Sequence, residues 1–266
     1  MKLEYITSAS NTKIRKLLEL QGSSKVRRTD GLIVVEGLRE IKRALVSGFV
    51  LRSLFFSEEI MSLDRLESEI EIPVGCGCFS ISGELYEKVA YRGSTEGVIA
   101  EFYYNGNKLD SLPVSENPFY VVVESVEKPG NLGAILRTCD GAGCVDAVII
   151  CDPLTDIYNP NVIRSSVGTV FTVPVIAATT DETIAFLKER KVKIFTAQLQ
   201  DSQVYYDCDF VGATAIVFGT EATGLSDKWR YAADSHILIP MNGIADSLNV
   251  SVSAAILVYE VLRQRR

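Results

Sequence analysis

From residue 118 onward, short apolar runs alternate with stretches of helical periodicity, and this alternation restricts the fold more than any other feature. The apolar runs are FYVVVESV, DAVIICD, VKIFTA, AIVFG and HILIP, and helical patterns fall near 131–141, 160–167, 181–190 and 247–262. Strands that alternate with helices form a mostly parallel sheet covered by helices on both faces. The sequence therefore predicts an α/β domain over residues 118–266.

The N-terminal part predicts a second, smaller α/β unit. Its strands are LIVVEG, LRSLFFS, a run near 72–79 and GVIAEF, and its helices fall near 11–21, 37–47, 62–70 and 83–90. The stretch YNGNKLDSLPVSENP that follows is rich in turn-forming residues, which is typical of a linker. The predicted boundaries are 1–104 for the first domain, 105–117 for the linker and 118–266 for the second domain.

Three segments of the second domain are unusually rich in Gly, Asn and Ser, and each follows or contains the end of a strand-like run. They are NLGAILRTCDGAG at 131–143, FGTEATGL at 218–225 and IPMNGIADSLNVSVSAAI at 239–256. Because ligands bind where the strands of an α/β sheet end, three such loops predict one composite site.

The first of these segments predicts a helix that Asn131 caps and that Gly141 and Gly143 end. Four apolar residues recur at helical spacing and are expected to be buried: Leu132, Ile135, Leu136 and Cys139. Arg137 lies off this stripe. It is expected either to bind a phosphate or to form a surface ion pair, and this segment alone favours the ion pair.

The last segment predicts a helix that Ser247 caps, with one apolar stripe formed by positions 248, 252, 255, 259 and 262. The neighbouring positions are also largely apolar. Such a helix is either fully buried or packed against a second subunit. In both cases the polar groups of Ser247 and Asn249 need partners, from a ligand or from the backbone.

Several classes of function are disfavoured by what the sequence lacks. The single histidine, His236, is predicted to be a strand residue, so no histidine-based triad or metal site is expected. Cys76 and Cys78 are the only closely spaced cysteines and have no ligand partners nearby, so no metal is predicted. The charge-free stretches are too short to cross a membrane, and the start has no secretory pattern. Scattered cysteines then favour reduced thiols in the cytoplasm.

The charge distribution is uneven. The net charge is −7, yet residues 1–52 contain 11 Lys and Arg against 5 Asp and Glu, a local excess of +6. A positive patch on an acidic protein is a candidate phosphate-binding surface, and a solvated helix face with a mobile loop at 22–30 is the alternative.

Three motifs resemble the signature of the SpoU/TrmH family, which are RNA ribose 2′-O-methyltransferases of the SPOUT superfamily. The first extends from Asn131 to Arg137, and the second is Gly-Thr-Glu-Ala-Thr-Gly at 219–224. The third joins Ile-Pro-Met-Asn-Gly at 239–243 to Ser-Leu-Asn-Val-Ser at 247–251.

The front half resembles the ribosomal-protein-like substrate-binding domain found in many rRNA-directed members. Ile-Val-Val-Glu-Gly at 33–37 carries this similarity. GSTEG at 93–97 departs from the Pro-Gln-Gly that such proteins often have before the last strand, which puts only the subfamily in question.

The resemblance implies that S-adenosylmethionine is the cofactor, that a C-terminal trefoil knot holds it, and that the protein is a homodimer. It also assigns residues. The cofactor-binding set is Ala197, Gly219, Ile239, Met241 and Leu248. The catalytic set is Asn131, Arg137, Glu221, Ser247 and Asn249, in which Arg137 would bind the phosphate beside the target ribose. Within the basic N-terminal part, the expected RNA-binding residues are Arg27, Arg28 and Arg39.

The expected substrate is a ribose in structured RNA. The additional front domain favours 23S rRNA over tRNA. A noncatalytic RNA-binding protein on the same fold is an alternative, although an intact catalytic set argues against it. A dinucleotide-dependent enzyme is a third possibility, but residues 130–133 lack the glycine fingerprint that it requires.

Overall fold

The computed structural model describes residues 3–91, 96–104, 106–113, 115–220 and 223–266. The chain divides into two compact units. The first contains Met1–Asn105 and Tyr158–Thr172, and the second contains Gly106–Ile157 and Val173–Arg266. The segment Tyr158–Thr172 therefore groups with the first unit, whereas the sequence pattern places it in the second domain.

The strands of the described residues, in chain order, are β1 Leu3–Ile6, β2 Leu32–Glu36, β3 Val50–Phe56, β4 Gly77–Ile81, β5 Val98–Tyr103, β6 Phe119–Glu124, β7 Ala147–Cys151, β8 Val175–Ala178, β9 Lys193–Ala197, β10 Gln203–Val204, β11 Thr214–Phe218 and β12 Ser235–Leu238. The α-helices are α1 Thr12–Gly22, α2 Ser24–Asp30, α3 Leu38–Val46, α4 Leu63–Glu69, α5 Gly83–Val89, α6 Pro129–Ala142, α7 Pro160–Ser165, α8 Thr169–Thr172, α9 Thr180–Glu189, α10 Asp227–Ala232 and α11 Val250–Gln264. Short 3₁₀ turns occupy Leu109–Ser111 and Tyr205–Asp207.

The first unit is built on a mixed five-stranded sheet in the order β1-β4-β3-β5-β2. Strand β5 is antiparallel to both β2 and β3, and the other pairs are parallel. Helix α1 packs on this sheet through Ile14, Leu17 and Leu20, which are completely buried and belong to one apolar cluster. The unit thus has a core of its own.

Helix α2 lies where the sequence suggested a mobile loop. Ser23 caps its start by accepting a hydrogen bond from the amide of Val26, and Gly31 ends it in the left-handed conformation. Arg27 is buried and donates from Nη1 to the carbonyl oxygens of Leu20 and Gln21, at 2.5 and 3.1 Å. These contacts join α2 to the end of α1.

The segment Tyr158–Thr172 is held in the first unit by aromatic packing. The ring of Tyr158 contacts those of Phe49, Tyr104 and Phe171, with centroids 5.0 to 6.3 Å apart. Arg43 adds a hydrogen bond from Nη1 to the carbonyl oxygen of Val167 at 2.5 Å. The first unit therefore needs a segment that lies far along the sequence.

The second unit is a seven-stranded sheet in the order β10-β12-β9-β11-β6-β7-β8, and all of its described pairs are parallel. All residues of β6, β7 and β11 are buried, as expected for strands with helices on both faces. This arrangement confirms the predicted α/β fold with a mostly parallel sheet.

Helix α6 begins earlier than its sequence pattern indicated. Lys128 is the N-cap and Pro129 occupies the first turn, so the prediction that Asn131 caps this helix is wrong. The predicted stripe is correct, because Leu132, Ile135 and Leu136 are fully buried and Cys139 nearly so. Gly143, at a φ of 65°, ends the helix.

Helix α11 differs from its predicted form in two respects. Asn249, not Ser247, is the N-cap, and its Oδ1 accepts from the amide of Ser251 at 3.0 Å. The buried stripe is the neighbouring one, formed by Ala254, Leu257, Val258 and Val261. The stripe predicted from positions 248 to 262 is partly or fully exposed, with Val252 at 46% and Tyr259 at 51%.

No helix among the residues that the structure describes is both long and apolar enough to span a bilayer.

Candidate cofactor and catalytic site

Three parallel strands of the second unit end side by side. Ala197 at the end of β9 is in register with Phe218 of β11 and with Ile237 of β12. The loops that follow these strands, together with the start of α11, enclose a cavity of about 330 Å³. All five residues assigned to cofactor binding line it: Ala197, Gly219, Ile239, Met241 and Leu248.

The glycines after β11 are required by a tight backbone contact. A Cβ atom on Gly219 would lie 2.3 Å from the carbonyl carbon of Gly224 and 2.5 Å from the amide nitrogen of Leu225. Thr220 and Gly224 exchange two backbone hydrogen bonds of 3.1 Å, and Gly224 has a φ of 69°. The wall of the cavity at this point is therefore backbone.

Two of the assigned catalytic residues meet directly. Asn249 donates from Nδ2 to Oδ1 of Asn131 at 3.2 Å, which links the cap of α11 to the first turn of α6. Ser247 lines the cavity two residues before Asn249. The polar groups at the start of α11 thus face both the cavity and α6.

Arg137 is exposed on α6 and has no hydrogen-bond or ion-pair partner among the described residues. The surface ion pair that its segment favoured is therefore not formed with any of them. Arg137 lies six residues beyond Asn131, which corresponds to about 9 Å along the helix axis. Glu221 lies outside the described residues.

Glu124 was missed by sequence reasoning. This buried carboxylate accepts from the hydroxyl of Ser226 at 2.6 Å, from the Ser226 amide at 2.8 Å and from the hydroxyl of Thr180 at 3.2 Å. It thereby fixes the residues after Leu225 to the end of β6. The available signal was one acidic residue in the otherwise apolar run FYVVVE.

The polar lining of the cavity was also missed. Gln198 and Gln200 follow β9, Arg230 comes from α10, and Asp246 precedes Ser247. Arg230 donates from Nη1 to Oε1 of Gln200 at 3.0 Å, and Gln198 donates from Nε2 to the carbonyl oxygen of Gln200 at 2.9 Å. The sequence signal was the polar stretch Gln-Leu-Gln directly after an apolar strand.

The chemistry of the site excludes several roles among the described residues. Burial raises the pKa of the Cys139 and Cys151 thiols to about 12, so neither is a nucleophile at neutral pH. His236 belongs to β12, and its Nδ1 shares a hydrogen bond of 2.6 Å with the hydroxyl of Thr196. No group of His, Cys, Asp and Glu in the described ranges could hold a metal ion.

The basic residues of the first unit differ in their exposure and in their bonding partners, and therefore in whether they can contact RNA. Arg28 is exposed and has no partner among the described residues, whereas Arg39 forms an ion pair of 2.7 Å with Glu40. Arg27 is buried and bound to backbone carbonyl groups, so in this conformation it does not present its guanidinium to RNA. We therefore remove Arg27 from the expected RNA-binding set.

Comparison with known proteins identifies one family. Residues 118–259 match the SpoU rRNA Methylase family, and residues 11–100 match the MRM3-like substrate binding domain. The 23S rRNA (guanosine(2553)-2′-O)-methyltransferase RlmP of Bacillus subtilis (strain 168) is 28% identical over 97% of this chain and 99% of its own length.

Solved structures agree with these matches. An RNA 2′-O ribose methyltransferase has a TM-score of 0.84 and 34% identity, and the match covers 98% of this chain and 99% of that one. The SpoU methyltransferase AviRb of Streptomyces viridochromogenes, solved with the cofactor AdoMet, has a TM-score of 0.88 and 27% identity over 96% and 98% of the two chains. The resemblance, the enzyme class and the cofactor predicted from the sequence are confirmed.

Proposed function

Because this chain belongs to the SpoU rRNA methylase family, we propose that it methylates the 2′-hydroxyl of a ribose in 23S rRNA, with S-adenosylmethionine as methyl donor. The observation that carries the proposal is that the cavity lies next to the hydrogen-bonded pair Asn131 and Asn249. Ser247 and Leu248 line the cavity, and the next residue, Asn249, bonds to Asn131. A cofactor bound in the cavity and a substrate bound at the pair would thus be neighbours.

The cavity fits an adenosine-containing cofactor. Its walls combine apolar side chains such as Ile237 and Leu257 with the backbone around Gly219, which suits a flat base. Oε1 of Gln198 is a buried acceptor without a donor among the described residues, so the lining can accept a hydrogen bond from a ligand. We propose that Ala197, Gly219, Ile239, Met241 and Leu248 hold the cofactor.

Arg137 is proposed to bind the phosphate next to the target ribose. Its guanidinium is exposed and unpaired among the described residues, and it presents a planar pair of donors that matches a phosphate. An arginine stays protonated, so it acts by charge and position and not as a base. The proton of the 2′-hydroxyl then passes to phosphate or water.

Asn131 and Asn249 are proposed to orient the ribose, and Ser247 and Glu221 complete the proposed catalytic set. Bound S-adenosylmethionine supplies an activated methyl group. Transfer of that methyl group to the ribose oxygen would leave the electrons of the broken carbon–sulfur bond on the cofactor. The residues need only hold the oxygen in line with that bond, because positioning supplies much of the rate.

The choice of 23S rRNA is supported by the front unit and by the full-length match to RlmP, whose name specifies that RNA. We propose that Arg28 and Arg39 of this unit contact RNA phosphates. A tRNA substrate is the second candidate. The free cysteines of the described residues fit a reducing compartment, so we propose a cytoplasmic location.

We further propose a homodimer that covers the exposed stripe of α11. Val252, Ala255, Tyr259 and Leu262 leave apolar surface unburied along one side of this helix. A continuous apolar stripe on a helix is normally buried against another surface.

Mass-spectrometric mapping of ribose methylation tests the proposed function. Total rRNA and tRNA from cells with and without the gene are compared at each nucleotide. We expect one 2′-O-methyl group in 23S rRNA to disappear with the gene and to return when purified protein and S-adenosylmethionine are added. A missing methyl group in tRNA would select the second candidate, and unchanged maps of both RNAs would contradict the proposed function.

A further inference from the structure

Gln198 carries a buried hydrogen-bond acceptor without a donor among the described residues. Its backbone amide donates to the carbonyl oxygen of Ile237 at 3.0 Å, and its Nε2 donates to the carbonyl oxygen of Gln200 at 2.9 Å. Its Oε1 is shielded from solvent and accepts nothing from the described residues. Exchange of the amide oxygen and nitrogen would place two oxygens face to face, so the Nε2 bond fixes the orientation.

An acceptor of this kind lowers the stability of the protein without a ligand. Oε1 is shielded from bulk water. Native structures leave few buried polar groups unpaired, and those that remain call for an explanation. The loop that carries Gln198 is otherwise well bonded, since Ser202 donates from Oγ to the carbonyl oxygens of Gln198 and Gln200.

The position of Gln198 supplies the explanation. Its side chain is part of the lining of the cavity that follows β9, β11 and β12. The apolar residues Ile237, Leu238 and Leu257 belong to the same lining. A ligand that brings a donor into this cavity removes the cost of the unpaired oxygen.

We propose that Gln198 binds the adenosine part of S-adenosylmethionine by accepting a hydrogen bond at Oε1. The donor is the 6-amino group of adenine or a hydroxyl of its ribose. A neutral amide suits a neutral donor, whereas the ammonium of the amino-acid tail is matched better by the Asp246 carboxylate in the same lining. Because Oε1 is shielded, the loop 198–202 adjusts as the cofactor enters.

The test is calorimetry with S-adenosylhomocysteine on Gln198→Met, a variant of similar length without the acceptor. We expect Kd to rise roughly fivefold to a hundredfold, as for the loss of a buried hydrogen bond. We expect the Tm without ligand to stay near that of the wild type, because the variant loses both the unpaired oxygen and the Nε2 bond to the carbonyl oxygen of Gln200. Gln203→Met is the control, since Gln203 bonds to Ser235 and is not part of this lining.

Ligand analogues identify the donor. The loss in Gln198→Met should persist with 5′-methylthioadenosine, which lacks the amino-acid tail. With S-inosylhomocysteine, which lacks the 6-amino group, disappearance of the difference between wild type and variant assigns the bond to adenine. Persistence of the difference assigns it to the ribose.

Two results would overturn the assignment. One is an unchanged Kd for S-adenosylhomocysteine in Gln198→Met, which would make Oε1 only a strained group of the fold. The other is a loss that vanishes with 5′-methylthioadenosine, which would place the bond on the amino-acid tail. The inference rests on the proposed cofactor site, and failure of the wild type to bind S-adenosylhomocysteine would instead count against the proposed function.

Discussion

Asn249 bonds to Asn131 through a 3.2 Å contact between Nδ2 and Oδ1, across 118 residues of sequence. The same Asn249 side chain caps α11, because its Oδ1 accepts from the amide of Ser251 at 3.0 Å. One amide group therefore fixes the start of a helix and reaches a second helix. A substitution that removes the whole Asn249 side chain would combine two effects, the loss of the helix cap and the loss of the link to Asn131.

Two substitutions at Asn249 separate them. Asn249→Ser keeps a capping hydroxyl but is too short to reach Asn131, so we expect nearly normal stability, normal affinity for S-adenosylhomocysteine and slower methyl transfer. Asn249→Ala also loses the cap and should lower the free energy of unfolding by about 1 kcal/mol. Chemical denaturation and single-turnover methyl transfer measure the two effects. Normal turnover of the Ser variant would show that the link to Asn131 is not needed for the reaction.

Arg137→Lys tests the proposed phosphate contact. Arg137 is exposed and unpaired among the described residues, so the substitution should leave both the fold and cofactor binding intact. An ammonium cannot reproduce the two parallel donors of a guanidinium, so most of the single-turnover rate should be lost. Calorimetry with S-adenosylhomocysteine is the control. A rate close to that of the wild type would remove Arg137 from the proposed mechanism.

The sequence predicted the parallel sheet well because long apolar runs such as FYVVVE have few alternatives to a buried strand. Helix ends were less predictable. Asn131 is a better capping residue than the Lys128 that begins α6, and Ser247 is as suitable as the Asn249 that caps α11. The burial of Arg27 depends on carbonyl groups at the end of α1, which no local pattern reveals.

Long-range pairing explains what else was missed. Tyr158–Thr172 joins the first unit through rings that are distant in sequence, such as Phe49. Glu124 acquires its role only when the fold brings Thr180 and Ser226 to it. Such contacts are set by tertiary structure, so composition and periodicity do not contain them.

Gly219→Ala tests the backbone wall of the cavity. A Cβ at this position would lie 2.5 Å or less from the backbone of Gly224 and Leu225, so the loop must shift. We expect lower stability and weaker binding of S-adenosylhomocysteine, by calorimetry and thermal unfolding. Gly212→Ala is the matched control, because a Cβ there meets nothing within 4 Å. Equal affinity in a folded Gly219→Ala variant would contradict the proposed wall.

RNA capture by the first unit is tested by point substitutions, because a deletion of residues 1–105 would strip Tyr158 and Phe171 of their partners. Lys25 and Arg28 are exposed, unpaired among the described residues, and lie three apart on α2, on one side of the helix. Replacement of both by Gln should weaken RNA binding and reduce the salt slope by about 0.7 to 0.9 for each phosphate that the variant no longer neutralises.

Two comparisons make the RNA result specific. Arg65→Gln removes another exposed arginine, on α4, and should change binding little. Arg27→Gln should mainly lower stability, because the carbonyl groups of Leu20 and Gln21 lose their donor. Filter binding over a range of salt concentrations gives the slopes. Equal slopes for wild type and the Lys25/Arg28 double variant would show that these residues do not contact RNA phosphates and form an ordinary solvated surface.

The proposed dimer predicts a specific effect of charge on α11. Tyr259 is 51% exposed within the apolar stripe, and an arginine there would be buried without a partner in the dimer interface. Light scattering at low micromolar concentration should give twice the chain mass of 29.2 kDa for the wild type and the single mass for Tyr259→Arg. Tyr231→Arg on α10, at a position 88% exposed, is the matched control and should stay dimeric. A monomeric wild type, or a Tyr259→Arg variant that stays dimeric, would show that this stripe is not the interface.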